Sequence, residues 1–149
     1  MDTSALQQLV DRQQIVDTLY RYGSSVDAKD YPTLRATFID DAVAQYGTAP
    51  EMHGADTIVK WIAETTLDRA WQHHLLSVYH VDIDGDDART LTYLMAHQTT
   101  VADPDTVMVI VARYRDVLRR LDGGWKIAEK RLDMGWMEHR HRQERGEVG

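Results

Sequence analysis

The feature that most limits the fold is a change of period at residue 73. From there apolar residues recur at every second position in four runs, residues 74–82, 88–100, 107–121 and 125–137. Between them lie Asp84-Gly85-Asp86, Ala102-Asp103-Pro104-Asp105 and Asp122-Gly123-Gly124. Alternation describes strands with one buried face, and turns this short join antiparallel neighbours. The second half of the chain is therefore predicted to be an antiparallel meander. The last three runs are long, which predicts a curved sheet with bulges.

The first half follows a helical period. Leu6, Leu9, Val10, Ile15, Val16, Leu19, Tyr20 and Tyr22 form an approximate stripe over residues 4–22, with Ser4 as the N-cap. Gly23-Ser24-Ser25 weakens the helix without ending it, because Val26 continues the apolar face. Tyr20 and Tyr22 lie about 200° apart around the axis and cannot share a face. Tyr22 is assigned to a cavity and Tyr20 to the core. Asp30-Tyr31-Pro32 marks a break, and Pro32 opens a short helix over 33–38. A strand over 43–46, a loop over 50–54 and a helix over 55–66 follow, with Ile58, Trp61 and Ile62 as that helix's apolar face. Helices first and antiparallel strands afterwards make an α+β protein. The expected architecture is a cone-shaped, curved antiparallel or mixed sheet, with N-terminal helices enclosing an apolar pocket. One domain is expected over residues 1–137, followed by a polar, exposed tail over 138–149.

Several function classes drop out. The net charge is −7, and the basic residues cluster only at 113–120 and 140–145, interrupted by acids or apolar residues. That is a poor surface for phosphates, so no nucleic-acid partner is expected. No apolar run approaches the roughly 20 residues of a membrane helix, and the N-terminus lacks the basic and apolar regions of a signal peptide. A cytoplasmic location is expected. With no cysteine there are no disulfides or thiolate ligands. The seven histidines show no paired metal-ligand spacing, and no glycine-rich loop follows a strand. Neither a metal nor another cofactor is expected.

Two polar stretches stand out. Residues 19–31 deliver Tyr20, Tyr22 and Asp27, and Trp71-Gln72-His73-His74 opens the first long strand. Asp27 is suited either to capping a turn or to acid–base work. Of His73 and His74, strand alternation lets only one enter a pocket. His97 shares a face with Leu91, Tyr93 and Met95.

The segments LYRYGSSVDAKDYPTLRATF, DDAVAQY, HGADTIVKWI, HHLL, VDIDGDDA and DGGWKIAEKR, in that order over residues 6–136, resemble the SnoaL-like branch of the nuclear transport factor 2-like superfamily. The resemblance implies a cone fold and a cofactor-independent lyase or isomerase. The reaction would be a dehydratase-type elimination or an isomerisation of a hydrophobic, polycyclic or steroid-like molecule. The family's dehydratases place an aspartate after the first helix and a histidine at the start of the second strand, positions that fall on Asp27 and His74. A tyrosine five residues before the aspartate falls on Tyr22, a polar residue of the third strand on His97, and a basic residue of the last strand on Lys130 or Arg131. Tyr46 and Trp136 are further candidates to contact substrate. The alternative is a non-catalytic binding or interaction module on the same fold. Family members commonly dimerise through the outer face of the sheet, which points to apolar residues among 107–111 and Leu118.

Overall fold

The computed structural model describes residues 3–143. Its elements run α1 (Thr3–Asp27), α2 (Tyr31–Ala36), β1 (Phe38–Tyr46), β2 (Met52–His53), α3 (Ala55–Thr65), β3 (Arg69–Asp84), β4 (Asp87–Thr100), β5 (Thr106–Leu121) and β6 (Gly124–His141). The six strands form one sheet in the order β2-β1-β6-β5-β4-β3. The β3–β6 meander is antiparallel, and β1 joins β6 in parallel, so the sheet is mixed. It is curved and unclosed, the α+β cone expected from the sequence. No described helix is long and apolar enough to cross a membrane.

Register sorts the meander into rows. One inner row is His74, Ala96, Ile110 and Met137; the next are Leu76, Leu94, Ala112 and Met134, then Val78, Thr92, Tyr114 and Leu132, then Val81, Thr90, Asp116 and Lys130. Helix α1 covers this face with Ile15, Leu19, Tyr22 and Val26, buried at helical spacing. Each such side chain contributes roughly 1.5–3 kcal/mol through the water it excludes. The outer rows include Leu75, Met95, Val111 and Trp136, and His73, His97, Val109 and Glu138. Curvature comes from bulges. At the β5–β6 bulge a Cβ on Gly135 would meet the Val111 carbonyl oxygen at 2.7 Å, so only glycine fits there.

Several boundaries differ from expectation. Ser4 lies inside α1 rather than ahead of it, and the helix runs through the Gly23-Ser24-Ser25 stretch to Asp27. Tyr20 is 43% exposed and is not core, because it lies off the stripe that α1 presses on the sheet. The short helix starts at Tyr31, capped by Asp30, whose side chain accepts from the Thr33 amide. Phe38 belongs to β1, where it is fully buried and pairs with Ile127, and Met52–His53 forms a short strand within the expected loop. β3 begins at Arg69. β6 continues to His141 opposite the start of β5, so residues 138–141 are paired strand, although mostly exposed. The rest of the expected tail, 144–149, lies outside the described residues. Leu118 faces the core and is no interface candidate.

Candidate active site

Helix α1 approaches β3 closely because residue 23 has no side chain. A Cβ there would lie 2.7 Å from Leu76 Cδ1 and 3.7 Å from His74 Cβ. One turn later the helix ends, and its final residues meet the exposed edge of β3. Gln72 Nε2 donates to the Val26 carbonyl at 2.6 Å. Asp27 then takes His74 in both hands: its Oδ1 is 2.5 Å from His74 Nδ1, and its Oδ2 accepts the His74 backbone amide at 2.9 Å. That amide is available because β3 is an edge strand and lacks a neighbour on that side.

The double contact fixes both the position and the tautomer of the ring. A carboxylate on Nδ1 selects Nδ1–H and leaves Nε2 as the basic nitrogen. The His74 side chain is 8% exposed and that of Asp27 25%. Both line a cleft of about 500 Å³ together with Ser24, Lys29, Arg69 and Gln72. A carboxylate at a helix C-terminus opposes the helix dipole, so Asp27 sits where helix stability alone disfavours it.

The other predicted residues fall into two separate places. Tyr22, Tyr46 and Lys130 gather deeper in the cone. The Tyr22 and Tyr46 hydroxyls are 2.7 Å apart. Lys130 Nζ lies 2.7 Å from Asp116 Oδ2 and 4.1 and 3.9 Å from the ring centres of Tyr22 and Tyr114. Burial pushes the phenols of Tyr22, Tyr46 and Tyr114 well above their ordinary value, so all three stay protonated at neutral pH. Burial also pushes Asp116 up and Lys130 down, each against the attraction of its partner. The Lys130/Arg131 alternative is thereby resolved for the interior. Lys130 is buried, whereas Arg131 is paired with Glu51, Glu129 and Gln45.

His97, Arg131 and Trp136 do not join the site. His97 is in register with His73, and their rings meet edge to face at 5.7 Å on the outer face, opposite to His74. Trp136 is 57% exposed in the outer apolar row. Alternation explains both, since a residue one step out of phase with His74's row projects from the other side of the sheet. Sequence reasoning missed Tyr114, Asp116, Gln72 and Lys29. The first two had a legible signal, lying two apart in a strand whose neighbours on that face, Ala112 and Leu118, are core. Among the described residues no cluster of three or more histidine, aspartate or glutamate side chains is arranged to hold a metal.

Comparisons agree with this architecture. An uncharacterized protein of Mycobacterium tuberculosis is 25% identical over 124 residues, covering 83% of this chain and 84% of its own. A type-2 hexachlorocyclohexane dehydrochlorinase superposes with a TM-score of 0.83 at 19% identity, over 95% of this chain and 99% of that one. The type-3 enzyme from Novosphingobium barchaimii gives 0.82 at 18% identity, over 91% and 93%. At these identities the structures establish the nuclear transport factor 2-like cone fold. Residues 7–131 match the SnoaL-like domain, most of the length, and the chain belongs to that family.

Proposed function

We propose that the protein is a cofactor-independent lyase or isomerase whose acid–base group is His74, oriented by Asp27. The reading rests on one observation, the Asp27 carboxylate engaging both the ring and the backbone of His74 beside a cleft. In the elimination, His74 Nε2 takes a proton from the carbon next to an activating carbonyl. The C–H electrons form the new double bond, and the C–O bond to the leaving hydroxyl breaks. The imidazolium, stabilised by Asp27, returns its proton to that oxygen, and water departs. Isomerisation differs only in returning the proton to another carbon. Tyr114 donates to the Tyr22 hydroxyl and Tyr22 to that of Tyr46, which leaves the Tyr46 phenolic proton for an oxygen on which charge develops. The inner row around His74 includes Ala96 and Ile110, and the next Leu76 and Leu94, which suits a hydrophobic, polycyclic or steroid-like substrate. Turnover of a panel of β-hydroxy carbonyl compounds by the native protein, His74→Ala and Asp27→Asn is the test. Equal turnover by all three would sink the assignment.

A homodimer belongs to the same reading. Leu75, Met95, Val111 and Trp136 make an apolar row across four strands, lining a groove of about 740 Å³ on the outer face. Exposed patches of this kind mark contact surfaces. Light scattering on Trp136→Glu is expected to show loss of the dimer.

A further inference from the structure

The end of α1 is built unusually. The Asp30 amide donates to the Ser25 carbonyl and the Lys29 amide to that of Val26, the paired bonds of a Schellman closure. The residue that such a closure holds in the left-handed region is ordinarily glycine. Here it is Lys29, at φ 52°, and among the described residues it is the one non-glycine residue with positive φ. Its side chain explains what a glycine would lack. Lys29 Nζ crosses to the α3–β3 connection and donates to the carbonyls of Arg69 at 3.0 Å and Leu67 at 3.4 Å.

We propose that Lys29 is a positioning residue for the Asp27–His74 pair, strapping the last turn of α1 to the start of β3; the proposal rests on reading that pair as the reactive site. The turn is then held at three successive points: Val26 by Gln72, Asp27 by His74 and Lys29 by the carbonyls of residues 67 and 69. Without the strap, the hydrogen bonds that hold the turn to β3 among the described residues are those of Gln72 and of the Asp27 carboxylate itself. That carboxylate lies at the negative end of the helix dipole, which favours its moving away into solvent. A strained residue kept at a functional position is the expected signature of such a device. Lys29 does not touch the reacting atoms. It acts through the placement of Asp27.

Lys29→Gly separates this role from a purely structural one, because it removes the strap and the strain together. Its melting temperature is expected to stay within about 5 °C of the native protein. The ring-nitrogen chemical shifts of His74, which report the tautomer, are expected to move away from Nδ1–H. For any substrate found, kcat is expected to fall about ten- to a hundred-fold with little change in KM. Lys29→Arg, which keeps a cation able to reach the carbonyls, is expected to restore both readouts. Native ring-nitrogen shifts in a folded Lys29→Gly protein would overturn the proposal. Altered shifts with unaltered turnover would retain Lys29 as a positioning residue and remove the lyase reading of the pair.

Discussion

Helix α1 carries a buried carboxylate in its first half and a half-buried one at its end, and the two are held in different ways. Asp11, near the start of the helix, receives Arg120 through both Nη atoms at 2.6 and 2.8 Å, Trp125 Nε1 at 3.1 Å and Gln7 Nε2 at 3.1 Å. The Arg120 guanidinium bound to it holds its carboxyl at about 2, below the usual carboxylate range. Asp27, at the last residue of the helix, directs both of its carboxylate oxygens to a single residue, His74. A carboxylate saturated by permanent donors can only lock a structure. One matched to an imidazole beside a cleft can move a proton. Residue type does not distinguish them; the set of partners does.

The largest effect should fall on chemistry at His74. His74→Ala is expected to lower kcat/KM by about 10² to 10⁴ with the fold intact, measured by turnover alongside circular dichroism. Next comes the deep ion pair. Lys130→Met alone strands a buried carboxylate and is expected to cost about 3–5 kcal/mol in urea unfolding. The double change Lys130→Met with Asp116→Leu should recover most of that loss, since a well-packed apolar pair replaces a buried ionic one with little penalty. A double variant as unstable as the single would show that the pair organises the cone in a way packing cannot replace.

Asp11 should come third. Its folded value lies below its unfolded one, so its contribution of about 2 kcal/mol is complete above about pH 4. It is lost as pH falls through about 2. Urea titrations of native protein and Asp11→Asn should therefore differ at pH 6 and converge towards pH 2. A gap that persists at low pH would mean that Asp11 acts by packing instead of charge. Tyr22→Phe, which leaves the Tyr46 hydroxyl without its partner, should cost about 1 kcal/mol. Tyr20→Ala, on the exposed side of the same turn, should change stability by less than about 0.5 kcal/mol.

Much of this was legible in the chain. The period-two half and its turns fix the meander, because alternation and short reversals leave an antiparallel sheet few other arrangements. The family resemblance placed Asp27 and His74 together, and the structure brings them to 2.5 Å. The differences have separate causes. The β6 bulge at Gly135 turns Trp136 to the outer face, whereas β4 and β5 pair without a bulge, so plain alternation sets His97 on the face opposite Ala96 and Leu118 on the inner face with Asp116. Tyr20 lies outside the core because a stripe of eight apolar residues is wider than the face a single sheet covers.

The sequence by itself determined the order of helices and strands and the residue types available for acid–base chemistry, both of which depend on local periodicity and chemical identity. Only the tertiary structure decided that Asp11 is locked and Asp27 is matched to His74, that Lys130 and not Arg131 enters the core, and that Lys29 straps the turn. Those outcomes depend on contacts such as Asp11 with Arg120 and Asp27 with His74, which lie 109 and 47 residues apart along the chain. Separations of that size leave no periodic trace, so only the folded register brings such groups within reach.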